Sequence, residues 1–284
     1  MDGVVIINKP KGMTSFDVVH MVSKQLGIKK VGHTGTLDPL AEGVLIICIG
    51  QATKIVELLT AYDKEYIAGV QLGIETDTYD SEGKTLVQKE VPEDLPIEEV
   101  VKSFQKTYLQ EVPIYSAVKV NGKKLYEYAR NNIEVELPKK EVTIKNIELS
   151  EQTKDTFKIK AEVTKGCYIR SLIHDIGKEL GTYATMTSLV RTKQGEVTIE
   201  DAVSLEEFQK GNYSIQSIEE VLDIPKVTVD SQLAFKIKNG VKIPNKWNIT
   251  EKVLLKDEKD QLLGIYEAED NQLRVWKNFS QEKA

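Results

Sequence analysis

One loop of the sequence holds the residues best suited to chemistry. It reads Gly32-His33-Thr34-Gly35-Thr36-Leu37-Asp38-Pro39-Leu40-Ala41-Glu42-Gly43. Asp-Pro and glycine are frequent in turns, so Asp38 taken alone would be a turn residue. The whole string is long for a turn, however, and it lies between a predicted helix and a predicted buried strand, where loops often carry function. The Asp38 carboxylate is ionised near neutral pH and could act as a nucleophile without an activating base.

Arginine is the second chemical signal, because this lysine-rich chain contains so few. The four arginines are Arg130, Arg170, Arg191 and Arg274. A guanidinium keeps its charge and can bind a carboxylate through two parallel N–H donors, which lysine cannot do. Arg170 lies at the predicted start of a helix, where a cation opposes the helix dipole. Pairing with an anion is therefore favoured for Arg170 over a solvated surface position.

Hydrophobic periodicity predicts the elements that must position these residues. Apolar or alternating runs predict strands at 4–7, 44–49, 66–72, 139–149 and 156–164. Helical spacing predicts helices at 15–26, 97–108 and 168–180, with shorter ones near 59, at 204–208 and at 218–222. Gly27 and Gly181 follow two of these helices, as expected for C-terminal caps.

The connections between elements indicate the fold class. Asn121-Gly122 predicts a β-hairpin, because this pair supplies the positive φ angles of a type I′ turn. Such hairpin signals favour an α+β fold, with a mixed, largely antiparallel sheet flanked by helices, over a doubly wound parallel sheet. After Pro225 the sequence changes to short β-type runs. We therefore predict two domains, residues 1–225 and a small all-β domain of residues 226–284.

Composition narrows the class of protein. Hydrophobic residues make up 40% and charged residues 29%, as in ordinary globular proteins, which excludes disorder as the main state. The longest aliphatic run is too short to span a bilayer, and the acidic start does not resemble a secretory signal. Two cysteines cannot build a disulfide framework, so we expect a cytoplasmic protein. The net charge of −6 is concentrated between residues 196 and 225, where eight acids face one lysine, so the rest of the chain could still bind phosphates.

Familiar cofactor signatures are missing from the sequence. Gly122-Lys123-Lys124 lacks the glycine spacing and the hydroxyl of a phosphate-binding P-loop, and the glycines of the Asp38 loop do not form a dinucleotide fingerprint. The histidines and cysteines show no spacing typical of metal ligands. We expect neither a metal nor a nucleotide cofactor.

Several separated strings resemble the bacterial tRNA pseudouridine-55 synthases, the TruB family, over nearly the full length. The strings are Asn8-Lys9-Pro10-Lys11-Gly12-Met13-Thr14-Ser15, the Asp38 loop, Lys64-Glu65-Tyr66, Thr76-Asp77-Thr78-Tyr79-Asp80, Pro113 to Ala117 with Gly122-Lys123-Lys124-Leu125-Tyr126, and Gly166-Cys167-Tyr168-Ile169-Arg170-Ser171-Leu172. Their order and spacing together are far more specific than any one string. The resemblance implies a pseudouridine synthase fold, with the small terminal domain similar to a PUA domain.

The resemblance also implies the reaction and its residues. Uridine 55 in the T arm of tRNA would be isomerised to pseudouridine without a cofactor, and the family's invariant aspartate corresponds to Asp38. Whether this carboxylate attacks C1′ or abstracts a sugar proton stays open. Arg170 would be its ion-pair partner, and Tyr66 would stack on the target base and handle the proton at C5. Taken on its own, a tyrosine in such a strand pattern is more often an aromatic residue of the core or of the sheet surface.

Further residues are expected to bind the RNA by the same resemblance. Tyr168 and Leu189 would line the pocket, and His33 would fill the gap left by the flipped nucleotide. Asp77 would contact another nucleotide of the loop. Independently of the resemblance, a cluster of four bases interleaved with tyrosines, namely Lys119, Lys123, Lys124 and Arg130, is expected to contact phosphates of the T arm. Lys9 is a further expected substrate contact. Taken alone, these residues could also be core, turn, loop or solvated surface residues.

Three other functions are compatible with parts of the sequence. A guide-RNA-dependent synthase of ribosomal RNA would share the core but needs partner proteins, and the fewer than sixty residues after Pro225 favour a stand-alone enzyme. An RNA chaperone that assists tRNA folding would use the same groove. An aspartyl-phosphate phosphotransferase would use Asp38 as its nucleophile. Such an enzyme also needs a second nearby acid and magnesium ligands, which the sequence does not show. We expect a monomer that acts on tRNA with no obligate protein partner and no membrane.

Overall fold

The computed structural model describes residues 1–279 and consists of two β-sheets with their helices and two short hairpins. The α-helices of this part are α1 (Ser15–Leu26), α2 (Val56–Ala61), α3 (Ile97–Ser103), α4 (Leu125–Arg130), α5 (Ile169–Glu179), α6 (Leu205–Lys210) and α7 (Ser231–Lys238). The first twelve strands are β1 (Gly3–Lys9), β2 (Val31–His33), β3 (Glu42–Ile49), β4 (Lys64–Leu72), β5 (Ile74–Thr76), β6 (Thr85–Gln88), β7 (Thr107–Glu111), β8 (Lys119–Val120), β9 (Lys123–Lys124), β10 (Lys139–Ser150), β11 (Thr156–Val163) and β12 (Ala184–Gln194). The others are β13 (Val197–Thr198), β14 (Val203–Ser204), β15 (Lys226–Val229), β16 (Ile243–Pro244), β17 (Lys252–Asp257), β18 (Leu262–Glu269) and β19 (Gln272–Asn278).

The large sheet is mixed and largely antiparallel, as predicted. Its order is β14-β1-β3-β12-β4-β11-β10-β7, with β2 paired to β3 and β13 paired to β12. The pairs β1/β14 and β3/β12 are parallel, whereas the other pairings in this sheet are antiparallel. The neighbours β3, β12 and β4 form the centre of the sheet, and the candidate site lies at the end of these strands.

The apolar runs of β1 and β3 are buried on both faces, which explains why they are continuous rather than alternating. Val5 and Ile7 pack with α1 and α5 on one face of the sheet. Val4 and Ile6 face the other side and pack in a second apolar cluster, which also contains Leu254 from the C-terminal sheet. The core is therefore continuous from the large sheet into the C-terminal region.

Helix α1 begins and ends where its sequence signals predict. Thr14 is the N-cap and forms a capping box with Asp17, while Gly27 ends the helix with a left-handed φ of 66°. The predicted hairpin is also present, with φ 50° at Asn121 and 82° at Gly122. Both signals are local, so they specify structure without help from distant residues.

Other predictions were wrong where distant contacts decide the structure. The predicted helix 97–108 ends at Ser103, because Thr107–Glu111 pairs with Lys139–Thr143 as a strand. Residues 218–222 form a turn instead of a helix, although Ile218, Val221 and Leu222 are buried. A helix this short would be only marginally stable by itself. Burial of the three apolar side chains stabilises the turn instead.

The C-terminal sheet has the order β15-β17-β18-β19-β16 and includes the predicted β-type runs. This region is not all-β, because α7 packs on the sheet, with Asp230 as the N-cap whose side chain accepts from the Leu233 N–H. The predicted boundary near residue 225 stays a prediction, and residues 280–284 of that prediction lie outside the described part. Within residues 1–279, the helices are all too short or too polar to cross a membrane.

Candidate active site

The loop between β2 and β3 is fixed on both sides of Asp38. Leu37 and Leu40 are buried in the core beneath the sheet, so the residues around the aspartate are anchored. The Ser15 hydroxyl accepts from the Leu37 N–H at 2.8 Å and lies 3.2 Å from the Leu37 carbonyl oxygen. Gly12 N–H donates to the Pro39 carbonyl at 2.8 Å. Anchoring from α1 therefore presents the Asp38 side chain, which is 34% exposed, to a cleft.

Arg170 binds the Asp38 carboxylate through two donors. Its Nε lies 2.9 Å from Oδ2 of Asp38, and its Nη2 lies 3.2 Å from Oδ1. Nη1 also donates to the Thr78 carbonyl and Nη2 to the Tyr115 carbonyl, each at 3.0 Å. Arg170 is the second residue of α5 and is buried. The structure thus confirms that an anion compensates this cation at the helix start.

A second carboxylate, Asp80, lies near the same guanidinium nitrogen, Nε of Arg170. Its Oδ2 is 3.8 Å from Nε of Arg170, and its Oδ1 accepts from the Thr78 hydroxyl at 2.7 Å and the Glu82 N–H at 3.1 Å. Asp80 is buried. The sequence analysis assigned no role to Asp80, because the turn that contains Asp80 is distant in the chain from Arg170.

Burial raises the pKa of the Asp38 carboxyl above its ordinary value. The Arg170 guanidinium opposes this shift, because it favours the ionised form, and Asp80 adds to it by like-charge repulsion. Arg170 is therefore the main group that keeps Asp38 available as a carboxylate.

The cleft in front of Asp38 has a volume of about 390 Å³ and combines apolar walls with charged groups. Asp38, Tyr66, Tyr168, Arg170, Leu189 and Arg191 all line it. The structure therefore brings together five residues that the sequence analysis proposed for the pocket, along with Arg191. Tyr66 and Leu189 are buried, and they come from the adjacent strands β4 and β12.

Arg191 is a site residue to which the sequence analysis assigned no role. Its Nε donates to the Val44 carbonyl at 2.7 Å and its Nη2 to the Gly35 carbonyl at 3.2 Å. Burial raises the pKa of the Tyr66 hydroxyl, and the positive charge of Arg191 opposes this rise. The rarity of arginine in the sequence was the signal that could have indicated a role for Arg191.

Gly43 permits the close approach of β3 to β12, because a Cβ there would lie 2.2 Å from the Arg191 carbonyl oxygen.

His33 and Asp77 lie in the segments beside the cleft but are not part of its lining. The His33 Nδ1 accepts from the Gly35 N–H at 3.2 Å, and burial lowers the pKa of the imidazole, which favours the neutral ring. Asp77 Oδ1 accepts from the Lys84 N–H at 2.8 Å within a turn. Both positions combine a local structural role with partial exposure.

The three expected lysine contacts occupy different environments. Lys119 and Lys123 are exposed on the β8–β9 hairpin. Lys9 is fully buried, and its Nζ donates to the carbonyls of Pro10 at 2.9 Å and Met13 at 2.6 Å. Burial lowers the pKa of Lys9 to about 8. Lys9 therefore supports the 10–13 loop, and a direct substrate contact by Lys9 stays a prediction.

The fold is that of the pseudouridine synthases. The chain superposes on a chain of a Cbf5–Nop10–Gar1 complex with a TM-score of 0.72 and 28% identity, covering 98% of this chain and 84% of that one. A chain of an H/ACA RNP bound to a substrate RNA containing 2′-deoxyuridine gives a TM-score of 0.71 at 26% identity over the same shares.

Residues 23–169 match the TruB family pseudouridylate synthase N-terminal domain, and residues 170–225 match the tRNA pseudouridylate synthase B C-terminal domain. The chain is 44% identical over 281 residues to tRNA pseudouridine synthase B of Fusobacterium nucleatum, covering 96% of this chain and 98% of the relative. It is 41% identical to the Clostridium tetani protein of that name, covering 93% and 95%. The chain belongs to the TruB family.

Proposed function

We propose that this protein isomerises uridine 55 in the T loop of tRNA to pseudouridine, with Asp38 as the catalytic carboxylate. The observation that carries the proposal is the two-donor pairing of Arg170 with Asp38 at a cleft that Tyr66 also lines. The full-length similarity to proteins named tRNA pseudouridine synthase B supports tRNA as the substrate class.

The reaction conserves every atom of the nucleoside. The bond between N1 of the base and C1′ breaks, the base turns, and a bond between C5 and C1′ forms. C5 loses a proton and N1 gains one, so neither an oxidant nor a metal is required by the balance. In the proposed roles, Asp38 acts at the sugar and Tyr66 stacks on the base. Burial raises the pKa of the Tyr66 hydroxyl, so its oxygen accepts the C5 proton only as it gives up its own proton, and N1 is the atom that gains a proton in the balance.

A base inside an RNA stack cannot reach Asp38, so the target nucleotide must first be flipped, which costs a few kcal/mol. The cleft of about 390 Å³ can enclose one nucleoside, with Tyr168 and Leu189 against the base. His33 would fill the gap left in the RNA stack, and Asp77 would contact a neighbouring nucleotide. These contacts would select a folded loop rather than a long sequence.

The exposed hairpin lysines Lys119 and Lys123 would contact phosphates of the T arm. Tyr126 lies nearby in α4, with Lys124 and Arg130 at 5.4 and 5.2 Å from its ring centre. This cluster of cations is suited to a backbone recognised by shape. The C-terminal sheet would serve as a PUA-like second RNA contact, and the protein would act as a cytoplasmic monomer without a protein partner.

The test uses purified full-length protein and a synthetic T-arm stem-loop with no other component. We expect one pseudouridine, at position 55, and none when that position carries cytidine. A product that forms only with a guide RNA and partner proteins would indicate the guide-dependent class instead. RNA refolding without any pseudouridine would indicate a chaperone.

A further inference from the structure

The position of Arg170 depends on a turn as well as on Asp38. This turn, residues 76–80, follows β5, and it offers the guanidinium the Thr78 carbonyl at 3.0 Å and the Asp80 carboxylate at 3.8 Å. A shift of the turn would therefore move two of the acceptors that aim Arg170 at the catalytic aspartate.

The turn contains a backbone conformation that needs outside support. Tyr79 has φ 62°, in the left-handed region that non-glycine residues seldom adopt. Strand β12 supports it, since the Met186 N–H donates to the Tyr79 carbonyl at 3.0 Å and the Ser81 N–H donates to the Met186 carbonyl at 2.9 Å. These bonds fix the backbone of the turn. They do not involve the aromatic ring of Tyr79, which has a different partner.

That partner is His174 of α5. The two rings stack, with centroids 3.9 Å apart and planes 14° apart. His174 is four residues after Arg170, so both side chains lie on the same helix face and meet the same turn. His174 is buried, its Nδ1 is 3.6 Å from Glu75 Oε1, and burial lowers its pKa to about 4, so the stacked ring is neutral at pH 7.

We propose that Tyr79 and His174 are positioning residues for the reaction, and that their stack fixes the turn that aims Arg170 at Asp38. The inference rests on the proposed function, since it assigns a role within the same site. One helix face thus contacts the turn twice, through Arg170 at its backbone and through His174 at its ring. Without the stack, the guanidinium would lose its fixed direction, and Asp38 would lose part of the stabilisation of its ionised form.

The groups that face Asp38 define the expected pH effect. They are Arg170 from α5, Asp80 from the turn, Lys9 from β1, Tyr66 from β4 and Tyr168, which precedes α5. Arg170 is the one in direct contact, so a less well-placed guanidinium raises the pKa of Asp38 further. Activity that needs the carboxylate is lost as the pH falls through this pKa, and the acidic limb of the kcat profile moves to higher pH.

The test removes the stack from each side. Tyr79→Asn deletes the ring but tolerates positive φ, and His174→Leu deletes the partner ring. We expect each to move the acidic limb upward by about one pH unit and to lower kcat at neutral pH about tenfold. Tyr79→Phe keeps the ring and should match the wild type. As a control, Tyr213→Leu breaks the Phe208–Tyr213 contact, at 4.4 Å between centroids and between residues that do not line the cleft, and should lower Tm without moving the limb.

The Asp38 carboxyl titration, followed by ¹³C NMR in the free full-length protein and assigned with Asp38→Asn, gives a readout that needs no RNA. A wild-type protein that makes no pseudouridine would refute the proposed function, whereas the titration would still decide the role of the stack. Tyr79→Asn and His174→Leu proteins that titrate Asp38 like the wild type, while losing Tm as Tyr213→Leu does, would overturn the inference.

Discussion

The Arg170 guanidinium binds both oxygens of the Asp38 carboxylate, with Nε 2.9 Å from Oδ2 and Nη2 3.2 Å from Oδ1. This geometry joins α5 to a loop more than a hundred residues earlier in the chain, and it places a permanent cation beside a carboxyl whose pKa burial raises. The pair therefore has two effects, because it orients the carboxylate and keeps it ionised.

The acidic limb of the pH profile of kcat should depend on the Arg170–Asp38 pair. Arg170→Lys replaces two parallel donors with one point charge, so the ionised form of Asp38 is less favoured and its pKa rises further. Activity is lost as pH falls through that pKa, so the acidic limb of kcat should move to higher pH. The control is Arg274→Lys, which alters an exposed pair with Glu267 in the C-terminal sheet. A limb that stays in place in Arg170→Lys would contradict the assignment.

The Tyr66 hydroxyl should matter for the chemical step more than for RNA binding. Tyr66→Phe keeps the aromatic ring but removes the hydroxyl, whose ionised form the Arg191 charge favours. Arg191 retains its bonds to two carbonyls, so we expect little change in Tm. The kcat on the T-arm stem-loop should fall by about a hundredfold, as is typical for loss of a proton-transfer group. Tyr168→Phe is the matched pocket control, and an equal loss in both variants would argue against a special role for Tyr66.

His33 should act on base flipping rather than on bond making. His33→Ala removes the ring expected to replace the flipped nucleotide, which stacking energies suggest is worth about 1–3 kcal/mol. We expect KM for the stem-loop to rise about tenfold, with a smaller change in single-turnover rate at saturation. His20→Ala removes an exposed histidine from α1 and should behave as the wild type. Unchanged KM in His33→Ala would remove the residue from the RNA interface.

The hairpin lysines should contribute through salt-dependent contacts. Each phosphate contact adds about 0.7–0.9 to the slope of log affinity against log salt. Lys119→Gln with Lys123→Gln should therefore flatten that slope by about 1.5 in a binding titration with the stem-loop. Lys102→Gln is the control, because Lys102 pairs with Glu98 on the exposed face of α3. A slope equal to that of the wild type would place the hairpin outside the RNA contact.

Much of the site could be predicted from the sequence, because its signals are local or depend on rare residue types. The Asp38 loop has an unusual length and composition, and Arg170 stands at a helix start that disfavours an unpaired cation. The Asn121-Gly122 turn and the caps of α1 are specified by residues next to one another. In each case, the structure shows the element or pairing that the residues predict.

Other features depend on partners that no local pattern reveals. Strand β12 escaped prediction because many of its residues are polar, and their hydrogen bonds are supplied by tertiary neighbours, such as the bonds from Gln194 to Thr34 and Leu59. Arg191 lies on this strand, so its place in the site was hidden with it. Asp80 was part of a string that signals a turn, and only the fold brings it to Arg170. The end of α3 and the start of β7 are likewise determined by the pairing of β7 with β10.

The most direct test of the account is Asp38→Asn. The amide keeps the shape of the side chain but cannot act as a carboxylate, while Arg170 retains Asp80 and two carbonyl acceptors. Product formation on the T-arm stem-loop should fall by at least about a thousandfold, equivalent to about 4 kcal/mol in the barrier. RNA affinity and Tm should stay close to those of the wild type. Pseudouridine formation at the wild-type rate by a folded, RNA-binding Asp38→Asn protein would contradict the account.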